Sequence, residues 1–333
     1  MIRTILVPTL LLIALSACSR QIANPPIPIA YPATPAGDAL RDFYTTTERD
    51  PEKFHALYAR LDDLRDDEAV KDALKPTMLA ILRQDDSVRA LWIAYILAEW
   101  YESLPATAPE FRRLLPALAK GLENPNNDDS WGIEWPAIAS AKILSQMGPV
   151  AIRPVQDAIA KRFLAPAPPN NTPIYGESNE GWTRYITGHI LAVIDETSVA
   201  ALTKGLDHKD PLVRYCAVDC IGFIVDPNKI RFSDEEYLAD RLGWRLSSEH
   251  KSALQHAARK QAAKVAERLW DDDKELDGLV RKQALRTLPH LMTSKEVTPR
   301  VRQRLLELLK YHQSAATEAL QAFNIPIPPD SAP

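Results

Sequence analysis

The chain of 333 residues contains three cysteines, and the two within its body, Cys216 and Cys220, stand four apart. On one helix that spacing turns both thiols to the same side, and a disulfide between them would be strained. There is no Cys-x-x-Cys pair of the thioredoxin kind, and no histidine lies at ligand spacing in sequence, so the pair makes a poor zinc set. Both are expected to be small buried core residues, and neither a metal nor a cofactor is expected. Glycine is scarce, 11 residues against 27 prolines. Few segments alternate apolar and polar residues as strands do, and Asn-Gly hairpin turns are not a feature of the chain. Catalytic signatures are missing too. The seven histidines form no His-Glu-x-x-His, and there is no Gly-x-Ser-x-Gly and no glycine-rich phosphate loop. His189 sits in an apolar helical pattern and reads as a packing residue. His208, between Asp207 and Asp210 in a turn, is the one histidine placed as a weak catalytic candidate. The formal net charge of −4 gives no general basis for binding nucleic acid.

Long apolar runs are also absent except at the start. MIRTILVPTLLLIALSAC has a positive charge at Arg3 and an apolar segment from Thr4 to Leu15 broken by Pro8 and Thr9. It ends in the small residues Ser16 and Ala17. Charged start, apolar middle and small-residue end are the layout of a secretory signal peptide, and the run is shorter than the roughly 20 residues a membrane span requires. Leu15-Ser16-Ala17-Cys18 resembles the lipobox of bacterial lipoproteins. That resemblance implies that Cys18 carries a diacylglyceryl group and becomes the first mature residue. Ser19, which is not aspartate, implies an outer-membrane destination. The alternative is an ordinary secreted protein cleaved nearby. Two or three acyl chains hold a protein stably where one does not. Residues 20–37 bring Pro25, Pro26, Pro28, Pro32 and Pro35, a density that favours an extended tether. Asn324–Pro333 is a similar proline-rich tail.

Between these ends, apolar residues recur at spacings of three and four, so the body over 38–323 is expected to be all-α, with twelve to fourteen helices of 10 to 18 residues. Asp50-Pro51, Asp210-Pro211 and Thr298-Pro299 each set a capping oxygen before a proline at the first helical position, and Ser233 to Glu236 reads as a capping box. Stops are expected at Gly121, Gly148 and Gly205 and around Pro105 and Pro125. Four stretches repeat one pattern, an acidic residue, a short gap and an arginine opening an amphipathic helix. They are Asp85 to Trp100, Glu180 to Asp195, Asp210 to Val225 and Asp277 to Met292, anchored on Arg89, Arg184, Arg214 and Arg281. The stretch from Trp135 to Ile159 is a degenerate copy without the arginine. The pattern resembles HEAT repeats of the bacterial HEAT-like type. Ala217, Cys220, Ile221 and Ile224 line one face of one copy, and Thr187, Ile190, Leu191 and Ile194 the same face of another. One helix pair cannot bury such a face; stacked antiparallel pairs can, as an α-solenoid. The resemblance implies that the arginines pair with acidic residues, for which Asp207, Asp210 and Asp277 are candidates.

What these readings imply is an envelope lipoprotein, lipid-anchored and facing the periplasm, whose solenoid is a non-enzymatic protein-interaction scaffold. Its expected partners are the membrane, through the lipid, and an envelope protein. The alternative is an envelope enzyme or small-ligand binder that uses the solenoid groove. Binding residues are placed at the 161–180 insertion and the helix that follows it: Tyr175, Trp182 and Arg184. Long loops on rigid folds commonly carry function. Charge is uneven as well: residues 38–130 hold 12 basic and 19 acidic side chains, and 250–310 hold 14 and 8.

Overall fold

The computed structural model describes residues 28–46, 51–101, 103–123, 136–165, 179–226, 246–271 and 275–329. The chain divides into two units, Met1–Ala30 and Tyr31–Pro333. The described residues of the first, 28–30, are irregular. The second is all-helical, with no strand among the described residues.

Its helices of eight or more residues are α1 (Pro35–Thr45), α2 (Pro51–Asp62), α3 (Glu68–Gln84), α4 (Val88–Trp100), α5 (Leu115–Glu123), α6 (Pro136–Met147) and α7 (Gln156–Phe163). They continue with α8 (Asn179–Ile194), α9 (Glu196–Leu206), α10 (Pro211–Val225), α11 (Ser248–Arg259), α12 (Glu275–Leu291), α13 (Pro299–Leu308) and α14 (Gln313–Ala322). Short helical turns fill 104–107, 109–113, 149–155 and 262–270.

The packing follows two rows. In one row α4 lies against α6, α6 against α8, α8 against α10, α10 against α12 and α12 against α14. In the other, α5 lies against α7, α7 against α9 and α9 against α11. Contacts between rows join α3 to α4, α5 to α6, α7 to α8, α9 to α10 and α13 to α14. This is the α-solenoid of stacked helix pairs, and each copy with a repeat arginine supplies a helix of the first row, called inner here. The degenerate copy also keeps its place there as α6.

Local chemistry explains where the helices begin. Asp210 accepts from the Leu212 N–H and Thr298 from the Val301 N–H, each ahead of a proline at the first helical position. Thr34 does the same for the Gly37 N–H, so the helical body starts at Pro35, three residues before the expected boundary. Ser87, rather than Asp85, caps α4, while the Asp85 carboxylate accepts from the Ser87 backbone and hydroxyl. The stops are met unevenly. Gly148 follows α6 at φ 80°, where a glycine is favoured, but α5 runs past Gly121 to Glu123, and Pro105 lies within the 104–107 turn. After α14, Asn324 takes φ 56° and the Ile325 N–H returns to the Leu320 carbonyl, a left-handed cap that ties the start of the proline-rich tail to the body. Ser233–Glu236 and Asp50 lie outside the described residues.

Burial exceeds the expected stripe. Every residue of α10 from Leu212 to Ile224 except Arg214 is buried, since the helix is enclosed by α8, α9, α11 and α12. The Phe163 ring, at the end of α7, is wedged against Gly188 of α8 and Gly205 of α9; a Cβ at either glycine would meet it at 3.0 Å or less. Nearer the N-terminus, Phe43, Phe54, Tyr58, Trp92 and Tyr95 form a chain of aromatic contacts with ring centroids 5.2 to 6.5 Å apart. Three of these five, Phe43, Phe54 and Trp92, are buried.

Candidate functional site

Two polar threads cross the inner row. The first is made by the repeat arginines. Arg184 of α8 is 0% exposed and reaches Asp210, the cap of α10, at 3.1 Å. Arg214 of α10 reaches Asp271, shortly before α12, at 2.8 Å, and also donates to the His208 and Lys209 carbonyls. Arg281 of α12 donates to the Asp271 carbonyl at 2.5 Å and lies 3.4 Å from the His312 ring at the start of α14. Each of these arginines therefore ties its own helix to the residues that introduce the next inner helix. Arg89 does otherwise and donates back to the Phe43 carbonyl at the end of α1. Among the described side chains, Asp210 is the acidic partner read from the sequence that a repeat arginine reaches. Asp207 binds Lys264 and Arg268 instead, and the Asp277 side chain lies outside the described residues.

The second thread lies deeper. His189 of α8 and Asp219 of α10 face each other, with Nε2 and Oδ2 3.5 Å apart. The His189 Nδ1 is 2.9 Å from the Tyr185 carbonyl; a carbonyl only accepts, so Nδ1 carries the hydrogen and Nε2 presents its lone pair. On the other side of the carboxylate, Gln283 of α12 donates Nε2–H to Asp219 Oδ1 at 2.6 Å. Cys220 Sγ is 3.5 Å from His189 Nδ1. His189, Asp219, Cys220 and Gln283 are all buried. Burial holds the His189 imidazole down to about 4, with the hydrogen bond to Tyr185 pulling the other way. Gly188 makes the approach of α8 to α10 possible, because a Cβ there would lie 2.8 Å from Cys220 Sγ.

The remaining sequence-based candidates are scattered. Trp182 is half-buried at the start of α8, edge-on to Tyr185 with ring centroids 5.9 Å apart. Arg184, two residues on, points into the interior, so the structure gives it to the Asp210 contact rather than to the surface. Tyr175 and Cys18 lie outside the described residues. Cys216 and Cys220 are buried thiols, as expected. His208 accepts the Asp210 N–H on Nδ1, and partial burial moves its titration downward.

The sequence reading missed Asp219 and Gln283 and took His189 as packing alone. Two signals were available. Asp219 is the sole charged residue between Arg214 and Asp226 in an otherwise apolar helix. His189 and Asp219 also share one repeat position, five residues after Arg184 and Arg214, and equivalent positions of stacked repeats meet. Gln283 carries no such signal, because it lies two residues after Arg281.

No protein-family model, curated protein or solved structure matches the chain.

Proposed function

We propose that this chain is a lipid-anchored envelope protein whose helical solenoid serves as a non-enzymatic scaffold for another protein. The observation that carries the scaffold reading is the use of the recurring arginines. Arg184 and Arg214 are engaged in holding inner helices to one another, and Arg281 reaches His312 at the start of the next, as expected of a frame whose outer surface does the binding. The one compact His, Asp and Cys group of the described residues is buried, which favours the scaffold over an enzyme that would use it. The anchor reading rests on Leu15-Ser16-Ala17-Cys18 after its apolar leader. Among the described residues no helix is long and apolar enough to cross a membrane, so lipid on Cys18 would be the means of attachment for that body. HEAT-like repeats remain our reading of its repeat type. For the binding face we propose Trp182 and the part of the 161–180 segment beyond α7, whose Phe163 is core, since partly exposed tryptophans are favoured anchors at interfaces.

The test has two arms in the same cells. A clickable palmitate analogue should label wild type but not Cys18→Ser, and mass spectrometry of the mature N-terminus should find acylated Cys18. An unmodified N-terminus beyond residue 18 overturns the anchor. A photo-crosslinking amino acid at position 182 should give one discrete adduct in intact envelopes, absent when the probe replaces buried Leu202. No adduct at 182 overturns the proposed face.

A further inference from the structure

We propose that His189, Asp219 and Cys220 form an interior binding site for a transition-metal dication, with Zn²⁺ the ion their chemistry fits best. The donor atoms of the three side chains lie within 4.8 Å of one another. The His189 Nε2 lone pair and Asp219 Oδ2 already stand 3.5 Å apart. Zinc binds nitrogen and carboxylate oxygen at about 2.0–2.2 Å each, so an ion between them subtends an angle of about 120° without moving either. Cys220 Sγ lies 3.5 Å from the Nδ1 side of the same ring and would turn toward Nε2 to complete a nitrogen, oxygen and sulfur set; a thiolate beside an imidazole selects a borderline-soft ion over Ca²⁺ or Mg²⁺, which prefer oxygen alone.

Three further features point to an ion. The first is orientation: the Tyr185 carbonyl takes the Nδ1 hydrogen of His189, and Gln283 holds the second oxygen of Asp219 at 2.6 Å. Metal-binding histidines and carboxylates are held by such outer hydrogen bonds, which fix the tautomer and aim the lone pair. The second is charge. A lone pair facing a carboxylate oxygen calls for a cation between them, a proton or a metal. A dication balances one carboxylate and one thiolate, leaving the buried set neutral, the arrangement that costs least in a low-dielectric interior. The third is construction: Gly188 brings Cys220 against the His189 helix, where any larger residue would collide with the thiol. Three protein donors leave one coordination position for water. With His189 and Asp219 in adjacent inner helices, the ion would clamp α8 to α10. Such a site fills as the chain folds, because its ligands are assembled only then.

The full chain without a polyhistidine tag, in detergent, is unfolded and refolded with Zn²⁺ or with chelator, then dialysed and assayed by elemental mass spectrometry. One zinc per chain is expected, with a higher melting midpoint than the chelated form; a folded wild type that retains no metal overturns the proposal. Refolding with Co²⁺ should give the visible absorption of a four-coordinate site and a thiolate-to-cobalt charge-transfer band. That band should vanish in Cys220→Ser and persist in Cys216→Ser and Cys18→Ser; persistence in Cys220→Ser, or loss in Cys216→Ser, overturns the site. If Cys220→Ser does not fold, X-ray absorption on the wild-type zinc form decides: one sulfur with nitrogen and oxygen ligands supports the site, and two or more sulfurs overturn it. Gln283→Leu should weaken zinc by roughly 10- to 100-fold while leaving the ligand set unchanged; unaltered affinity would overturn the role given to Gln283.

Discussion

Gly188→Ala puts two opposing effects into one methyl group. Gly188 is in the interior of α8, where alanine is the better helix former by about 0.5–1 kcal/mol. Were the position open, the variant would be more stable. The added carbon, however, would fall 2.8 Å from Cys220 Sγ and 3.0 Å from Phe163 Cε2, inside the separation any carbon keeps from such atoms. Overpacking of this kind costs about 1–3 kcal/mol, so contact outweighs propensity and a net loss of about 0.5–2 kcal/mol is expected. Urea unfolding followed by helical ellipticity, in chelator so that the thiol acts through packing alone, gives the number. Cys220→Ala alone should cost about 1 kcal/mol by leaving a small void. In the double variant the new methyl enters the space of the lost sulfur, so the two costs should fall short of additive by about 1 kcal/mol. Gly148→Ala is the contrast. No atom lies within 4 Å of its would-be Cβ, but φ is 80°, and the left-handed backbone alone should cost about 1–2 kcal/mol, which no neighbouring substitution relieves. A Gly188→Ala protein at least as stable as wild type, or additive with Cys220→Ala, would refute the close approach of α8 to α10.

Other outcomes follow from the same contacts. Arg184→Met should destabilise by about 3–5 kcal/mol, because it leaves the mostly buried Asp210 carboxylate without its cation; a double-mutant cycle with Asp210→Asn, which preserves the α10 cap, should show coupling above about 1 kcal/mol, and strict additivity would deny the bridge. Burial lowers the His189 titration from 6.5 to about 4, so between those values the unfolded chain binds more protons; in the metal-free protein stability should be full above pH 6.5 and fall by up to about 3 kcal/mol towards pH 4. His189→Gln should flatten that slope, and an unchanged slope would place its origin elsewhere. Ile221→Asp, at a position with 0% exposure, should cost several kcal/mol in thermal or urea unfolding by burying an unpaired charge; a near-neutral result would contradict the enclosure of α10.

The architecture was legible because it rests on features that repeat. Helical spacing, proline after a capping oxygen, and an arginine returning after 30 residues all depend on a few neighbours in the chain, and they placed α4, α8, α10 and α12 correctly. The arginine partners were harder. Asp210 stands at a fixed distance from Arg214 in its own copy, so it could be named, yet it serves Arg184 of the copy before. Asp271 could not be named: it lies 57 residues from the Arg214 it binds. The buried row was hidden for a related reason. Local spacing asks which histidine lies three or four residues from Cys220, whereas the stack brings one from 31 residues away. Spacing along one helix is therefore blind to a cluster that two helices supply together.

The two polar threads also explain why this stack keeps a single register. Apolar contact is nondirectional, so apart from close fits such as Cys220 against Gly188 the face of α10 does little to oppose a slide of one turn against α8 or α12. A polar interior cannot tolerate that movement. Sliding α10 by one turn, about 5.4 Å, would carry Asp219 away from His189 and Gln283 and Asp210 away from Arg184 at the same time, leaving several charged or polar groups buried without partners. Each such group costs about 1–3 kcal/mol, more when charged, so the penalty for the wrong register exceeds what the correct contacts add to stability. The arginine thread fixes the entrances of the helices, and the deeper row fixes their centres. Two fixed points on one helix define both its height and its rotation, which a single bridge could not do. An ion held by His189, Asp219 and Cys220 would tighten the same inner point, coupling the register of α8 and α10 to metal supply.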